Sequence, residues 1–270
     1  MGIVNVTPDS FSDGGRFLDS DAAVSHGLAL RAAGASLLDV GGESTRPGAE
    51  RVEPAVERDR VLPVVAALAA AGAVVSIDTM NAETAVAAVR AGARIVNDVS
   101  GGLADPDMLP AVAETGADVV LQHWRGASAD MYARAAYVDV VREVSAELTA
   151  RVAAAAAAGI APDRVIVDPG IGFGKRGDQN WVVLRDLARI AGLGHRVLVG
   201  TSRKRFLLDA LGEDASTERR DLATAVTSVL AAQAGAWAVR VHDVAATRDA
   251  LQVAARWESG DPWTSPTRSH

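Results

Sequence analysis

The stretch Val74-Val-Ser-Ile-Asp-Thr-Met-Asn-Ala-Glu-Thr-Ala-Val-Ala-Ala-Val-Arg-Ala-Gly-Ala-Arg-Ile-Val-Asn97 contains a complete strand–helix–strand unit. An apolar run, Val74–Ile77, precedes an alanine-rich segment, Ala82–Ala91, and Gly92 separates that segment from a second apolar run, Arg94–Val96. A glycine just past a helix supplies the left-handed residue that ends it. Short apolar strands that alternate with longer helices are typical of βα units on a parallel sheet.

The same unit recurs along the whole chain. The predicted strands are Ile3–Val6, Ser36–Val40, Val74–Ile77, Arg94–Val96, Asp118–Gln122, Arg164–Val167, Arg196–Val199 and Trp237–Val241. The predicted helices include Asp21–Ala33, Pro54–Ala71, Ala82–Ala91, Asp139–Ala158 and Leu222–Ala234, and the glycines that end them are Gly34, Gly72, Gly92, Gly159 and Gly235. Eight strands in 270 residues leave about 34 residues per unit, close to the ~30 that one βα unit needs.

This count favours an α/β protein with a (β/α)8 TIM barrel over an open, doubly wound sheet. No linker interrupts the alternation, so we predict a single barrel domain over residues 1–258 and a polar C-terminal tail over residues 259–270.

Composition excludes several classes of function. The chain has 27 basic and 34 acidic residues, a net charge of −7, which argues against a nucleic-acid partner. It has no cysteine, so disulfides, thiolate zinc sites and cysteine nucleophiles are excluded and a reducing, cytoplasmic location is expected. The most apolar stretch, Val61–Ile77, contains Pro63 and is too short for a membrane span, and no secretory leader is expected at Met1.

Each predicted strand ends on a polar side chain. These residues are Asn5, Asp39 with Glu43, Asp78, Asn97, His123, Asp168, Ser202 with Lys204, and Arg240 with His242. In a (β/α)8 barrel the carboxyl ends of all strands meet at the face that carries the active site. For Asp39 and Ser202 alone, a turn or helix cap is an equally good interpretation, but the set as a whole predicts a polar site at the barrel mouth.

The residue types suggest a ligand with a polar ring and an anionic group. Asp78, Asn97 and Asp168 suit the amidine-like or lactam edge of a heterocycle. A basic set suits phosphate oxygens and ring stacking, and consists of Arg46, Lys204, Arg240 and His242. No spacing of ligand residues predicts a full metal cage, although a magnesium ion carried by phosphates and water needs only one or two protein oxygens. The glycine-rich segment Gly170–Lys175 matches no nucleotide motif and is interpreted as a mobile loop.

Seven motifs in order resemble the dihydropteroate synthase family. The two longest are GIVNVTPDSFSDGG at residues 2–15 and DVGGESTRPG at residues 39–48. The others are Ser76–Thr79, Asn97–Gly102, Asp168–Lys175, Ser202–Lys204 and Val239–Asp243. The resemblance covers nearly the whole chain, and the family has the barrel fold expected above. It also implies that the N-terminal hairpin that often closes the barrel floor is short or missing here.

The resemblance implies an enzyme of folate biosynthesis that joins 4-aminobenzoate to (7,8-dihydropterin-6-yl)methyl diphosphate, forming 7,8-dihydropteroate and diphosphate. The pterin would contact Asp78, Asn97, Asp168, Lys204 and Arg240. The diphosphate would contact Asn5, Thr45, Arg46, Arg240 and His242, with Mg²⁺ as cofactor on Asn5. The aminobenzoate would contact Phe11, Pro47, Phe173 and Lys204. The catalytic residues would be Asp78, Asp168, Lys204 and Arg240. The resemblance further implies a homodimer and inhibition by sulfonamides.

Three other interpretations stay open at this point. A corrinoid-dependent pterin methyltransferase barrel would share the pterin pocket but would have no use for Ser44–Gly48 and Ser202–Lys204. A non-catalytic paralogue would bind a pterin without turnover, and a structural barrel would bind no ligand. Release of diphosphate from the two substrates separates all of them from the synthase.

Overall fold

The structure, a computed structural model, describes residues 1–7, 16–44, 52–126, 132 and 135–259, without the side chains of residues 16–19. Four of the predicted site residues, Phe11, Thr45, Arg46 and Pro47, lie outside the described residues. Residues 260–270 of the predicted tail also lie outside them.

Eight parallel strands are hydrogen-bonded in chain order, from β1 to β8. They are β1 Gly2–Asn5, β2 Leu38–Gly41, β3 Val75–Asp78, β4 Ile95–Asp98, β5 Asp118–Gln122, β6 Val165–Asp168, β7 Arg196–Val199 and β8 Ala238–Val239. A parallel bridge between Gly2 and Val241 joins the last strand to the first, with the Ile3 N–H donating to the Val241 carbonyl at 3.1 Å. The sheet therefore closes on itself, and the predicted TIM barrel is confirmed.

Ten α-helices lie among the described residues and cover the outside of the strands. They are α1 Arg16–Ala32, α2 Pro54–Ala70, α3 Ala82–Arg90, α4 Met108–Thr115, α5 Val140–Ala157, α6 Asp178–Arg185, α7 Leu187–Ala191, α8 Leu208–Leu211, α9 Thr217–Gln233 and α10 Val244–Glu258. The glycines predicted to end five of them all have positive φ, from 79° to 116°. Among the described residues no helix has the length and apolar content needed to cross a membrane.

The strand boundaries differ from the prediction by one or two residues, except at β5 and β7, which match it. The largest change in strand length is at β8, predicted over Trp237–Val241 and regular only at Ala238–Val239. Here the chain changes partners: the Arg240 N–H still donates to the Val199 carbonyl of β7, whereas the Val241 N–H donates to the Met1 carbonyl at 3.0 Å.

Two layers fill the inside of the barrel. A small apolar cluster consists of Ile95, Val120, Ile166 and Leu198, one residue from each of β4 to β7. Side chains two residues apart on a strand point to the same face. Asn97, Gln122 and Asp168, each two residues further along its strand, therefore form a polar layer directly above the apolar one. This polar layer forms the floor of the site, and the position of its side chains follows from the register of the strands.

Candidate active site

A cavity of about 1240 Å³ opens at the carboxyl ends of the strands. Eight of the twelve predicted site residues line it: Asn5, Asp78, Asn97, Asp168, Phe173, Lys204, Arg240 and His242. They come from strand ends and from the loops after them, although up to 237 residues separate them in sequence. The structure therefore brings together every predicted site residue that it describes.

Arg240 is the centre of a buried ion-pair network. Its Nε donates to Asp39 Oδ2 at 2.6 Å, and its Nη2 donates to Asp78 Oδ2 at 2.8 Å. The Asn97 amide also donates to Asp39 Oδ2, at 3.0 Å. Burial works against the Arg240 charge, but the two carboxylates outweigh it and raise the pKa of the guanidinium. The network fixes the plane of the guanidinium at the edge of the cavity.

The carboxyl groups in the floor have raised pKa values. Burial raises the pKa of Asp78 to about 7, against the opposing effect of Arg240. Burial also raises the pKa of Asp168, against the effect of Lys204, and Asp168 Oδ1 accepts a 2.7 Å hydrogen bond from the Gly170 N–H. Charge on a buried carboxyl is costly unless N–H donors reach it. A ligand that brings such donors is therefore recognised strongly here.

Lys204 extends into the same cavity from the loop after β7. Its ammonium donates to the Ile171 carbonyl and lies 4.7 Å from the centre of the Phe173 ring. Burial lowers the pKa of Lys204 to about 8, while Asp168 opposes the shift. The preceding residue, Arg203, has φ of 57°, a left-handed conformation that is strained for a side chain of this size. A bidentate pair with Asp221 at 2.7 and 2.8 Å holds Arg203 there, which sets the direction of Lys204.

Ser202 and His242 form a second polar pair on the cavity wall. Ser202 Oγ lies 2.9 Å from His242 Nδ1 and accepts a 3.1 Å hydrogen bond from the His242 N–H. Because the first contact ties the imidazole and the second the backbone of His242 to the loop after β7, His242 is oriented on the side of the site where Arg240 also lies. The pair is suited to an anionic group at this position.

The donor set fits only a loosely held metal ion. Asn5 offers one amide oxygen on the cavity wall. Within the described part of the chain there is no group of three or more His, Cys, Asp or Glu side chains that could hold a metal. These residues do not fit an all-protein cage, and they fit an Mg²⁺ ion whose remaining ligands are phosphate oxygens and water.

Sequence reasoning assigned no role to two residues of the site. Asp39 is fully buried beneath Arg240 rather than capping a helix. Lys175 is 1% exposed, lines the cavity, and belongs to the segment interpreted as a mobile loop. One signal could have indicated Lys175. Of the 27 basic residues only two are lysines, Lys175 and Lys204, and both lie at this site.

Comparisons with known proteins agree with this geometry. The family model described as pterin binding enzyme matches residues 1–242. Dihydropteroate synthase of Mycobacterium leprae (strain TN) is 54% identical over 273 residues, covering 99% of this chain and 96% of that protein.

Two solved structures are similar along nearly the full length. A Xanthomonas albilineans dihydropteroate synthase with 4-aminobenzoic acid has a TM-score of 0.89 and 48% identity, covering 97% of this chain and 93% of that one. A second, in complex with 7,8-dihydropteroate, has a TM-score of 0.86 and 44% identity, covering 97% of this chain and 94% of that one. The chain therefore belongs to the pterin-binding enzyme family and, within it, to the dihydropteroate synthases.

Proposed function

We propose that this chain condenses (7,8-dihydropterin-6-yl)methyl diphosphate with 4-aminobenzoate. The arylamine nitrogen forms a bond to the methylene carbon, the bond from that carbon to the diphosphate oxygen breaks, and the nitrogen loses a proton. The products are 7,8-dihydropteroate and diphosphate. One observation is the main support for this proposal. The ion pair of Asp78 and Arg240 lies in the same cavity as Lys204.

The pterin ring is assigned to the polar layer of the barrel. Asp78 and Asp168 are buried acceptors, and the Asn97 amide is held in place by Asp39. The ring's amino and N–H groups would supply further donors to these carboxyls. Two carboxylates bind the edge of the Arg240 guanidinium, so its flat face is available to stack on the pterin ring. Negative charge on the two aspartates would stabilise positive charge that develops on the pterin as diphosphate leaves.

The diphosphate is assigned to the side where Arg240, His242 and Asn5 line the cavity. Thr45 and Arg46, outside the described residues, belong to the same proposal. Arg240 and His242 would stabilise the negative charge that builds on the leaving group. Mg²⁺, when bound through Asn5 and the substrate phosphates, supplies further charge neutralisation.

The aminobenzoate is assigned to the side formed by Lys204 and Phe173. The Lys204 ammonium can bind the substrate carboxylate, and the Phe173 ring beside it can contact the aromatic ring. Phe11 and Pro47 are proposed to complete this subsite. An arylamine is already uncharged at neutral pH, so no general base is needed and catalysis consists of positioning and electrostatics.

The test supplies both substrates with Mg²⁺ and measures diphosphate release together with 7,8-dihydropteroate. Turnover supports the proposal. Pterin binding without diphosphate release would indicate a non-catalytic paralogue instead. Inhibition by a sulfonamide that is relieved by added 4-aminobenzoate would show that the two compounds compete for one subsite. The cysteine-free composition fits a reducing cytoplasm as the place of this reaction.

A homodimer is also proposed, through the outer faces of α9 and α10. Leu222, Val226 and Leu230 recur every four residues on α9 and are 52–65% exposed. Val253 and Trp257 on the adjacent α10 are 70% and 86% exposed. A continuous apolar face of this kind suits a second copy of the chain. Light scattering should show a dimer that Val226→Glu dissociates and that Leu103→Glu, an exposed position elsewhere, leaves intact.

A further inference from the structure

Lys175 is a buried amine that the proposed reaction does not use. It is the largest side chain in the described structure with less than 2% exposure. Its Nζ lies 3.0 Å from His123 Nδ1, 3.0 Å from the Gly170 carbonyl and 3.2 Å from the Phe173 carbonyl. Three acceptors around one nitrogen match the three hydrogens of an ammonium group. A neutral amine, which has two hydrogens, would satisfy the same three contacts only if His123 Nδ1 donated to it.

His123 is oriented so that it can accept from this ammonium. Its Nε2 lies 3.0 Å from Glu147 Oε2 in an ion-pair contact that lacks hydrogen-bond geometry. Burial and the nearby Lys175 charge lower the pKa of His123 to about 4, so the ring is neutral at physiological pH. A neutral ring with its proton on Nε2, facing Glu147, presents a lone pair on Nδ1 to Lys175. Glu147 in turn is paired with Arg125.

The turn that Lys175 holds, residues 170–173, also borders the proposed aminobenzoate subsite. The Gly170 N–H donates to Asp168, the Ile171 carbonyl accepts from Lys204, and the Phe173 ring lies beside the Lys204 ammonium. Lys175 binds the same turn through the carbonyls of Gly170 and Phe173, so one turn carries the contacts of both lysines.

We propose that Lys175, oriented by His123, is a positioning residue for the aminobenzoate subsite. It fixes the turn over residues 170–173, so that Phe173 and the Ile171 carbonyl stay in register with Lys204. The pterin floor on β3 and β4 does not depend on it, because Asp78 and Asn97 are held by Arg240 and Asp39. This inference rests on the proposed function for the identity of the subsite.

Lysine is required at this position for a geometric reason. The chain uses arginine at all but two of its 27 basic positions, yet keeps lysine here. A guanidinium is planar and larger, and it cannot direct three donors to three acceptors around one atom in a fully buried space. Lys175→Arg is therefore expected not to restore what Lys175→Met removes.

Steady-state kinetics of the full chain test the proposal. Lys175→Met should raise KM for 4-aminobenzoate about tenfold, because a buried charge-assisted hydrogen bond is lost. KM for the pterin diphosphate should rise less than KM for 4-aminobenzoate, because only one floor residue, Asp168, is coupled to Lys175, through Gly170, whereas Asp78 and Asn97 are not. Equal changes in both KM values, or none in either, would overturn the proposal.

A milder variant covers the case in which Lys175→Met does not fold. Glu147→Gln changes a side chain that is 41% exposed and acts on Lys175 through its contact with His123 and through its charge. It should raise KM for 4-aminobenzoate in the same direction by about threefold. Asp118→Asn is the matched control, since Asp118 is also a half-exposed carboxylate paired with an arginine, Arg196 at 2.9 Å, but at the other end of the barrel. A KM shift of the same size in Asp118→Asn would contradict the proposal.

A measurement without substrates separates this inference from the proposed reaction. The protein has two lysines, so nitrogen-15 labelling of lysine gives two side-chain signals, and Lys175→Arg assigns them. At pH 6 the Lys175 signal should be that of an ammonium protected from exchange with water. A rapidly exchanging signal would overturn the inference even in an active enzyme. A protected signal in a chain without turnover would leave the positioning of the turn intact and the proposed function refuted.

Discussion

The two halves of the cavity are built in different ways. In the strand half, formed by Asp39, Asp78, Asn97 and Arg240, charged side chains neutralise each other across the barrel. In the loop half, formed by residues 170–175 and Lys204, ammonium groups are held by backbone carbonyls and by His123. The strand half is thus defined by long-range ion pairs and the loop half by the path of one turn. Substitutions should therefore damage the two halves to different extents and with different signatures.

Arg240→Ala should have the largest effect, because it leaves two buried carboxylates without their cationic partner. Breaking a buried ion pair from one side costs about 3–5 kcal/mol of folding free energy. Urea unfolding measures this loss, and turnover with saturating aminobenzoate measures the accompanying fall in kcat/KM for the pterin diphosphate. Unchanged turnover would show that the anion is not bound where Arg240 lies.

Asp78→Asn tests whether the two halves are separable. It changes one acceptor of the strand half and keeps the shape of the side chain. Loss of a charged, buried acceptor should weaken pterin binding about tenfold to a hundredfold. Isothermal titration with the free pterin measures it. KM for 4-aminobenzoate should stay near its original value, and a parallel rise in that KM would mean that the halves are not separable.

The pH dependence of aminobenzoate binding tests the role of Lys204 in the loop half. Lys204 binds a carboxylate only while it is protonated, and burial lowers its pKa to about 8. KM for 4-aminobenzoate should therefore rise as pH increases through 8, and below that value the titration of Lys204 should no longer change it. Lys204→Arg keeps a positive charge at high pH, so its profile should lack the step near 8. A step that persists in the arginine variant would assign it to another group.

The smallest effect is expected from a change in the scaffold outside both halves. Gly159 follows α5 with φ of 93°, and an added Cβ would meet no atom within 4 Å. Gly159→Ala should cost about 1 kcal/mol through backbone strain alone, as measured by urea unfolding. Gly92→Ala should cost more, since its Cβ would lie 2.6 Å from the Ala69 side chain. Neither variant should alter either KM.

Much of the fold could be predicted from the sequence because each unit is local. An apolar run, a helix and a glycine lie within about 34 residues, and the polar residue at each strand end follows directly from that pattern. The ion pair of Asp39 could not be predicted, because its partner Arg240 lies 201 residues away in the sequence. The burial of Lys175 could not be predicted for a related reason. The glycines around it indicate a loop, and no neighbouring residue indicates that His123 lies next to its ammonium group.

The position of Arg240 next to the closing strand has a consequence for the order of folding. Its partners precede it by 201 and 162 residues, so these contacts are among the most nonlocal in the chain. Contacts of such sequence separation form only after the entropy of closing a long loop has been overcome. During synthesis, Asp39 and Asp78 emerge long before the residue that neutralises them. The pterin pocket is therefore completed together with the barrel itself, and a partly synthesised chain cannot assemble it.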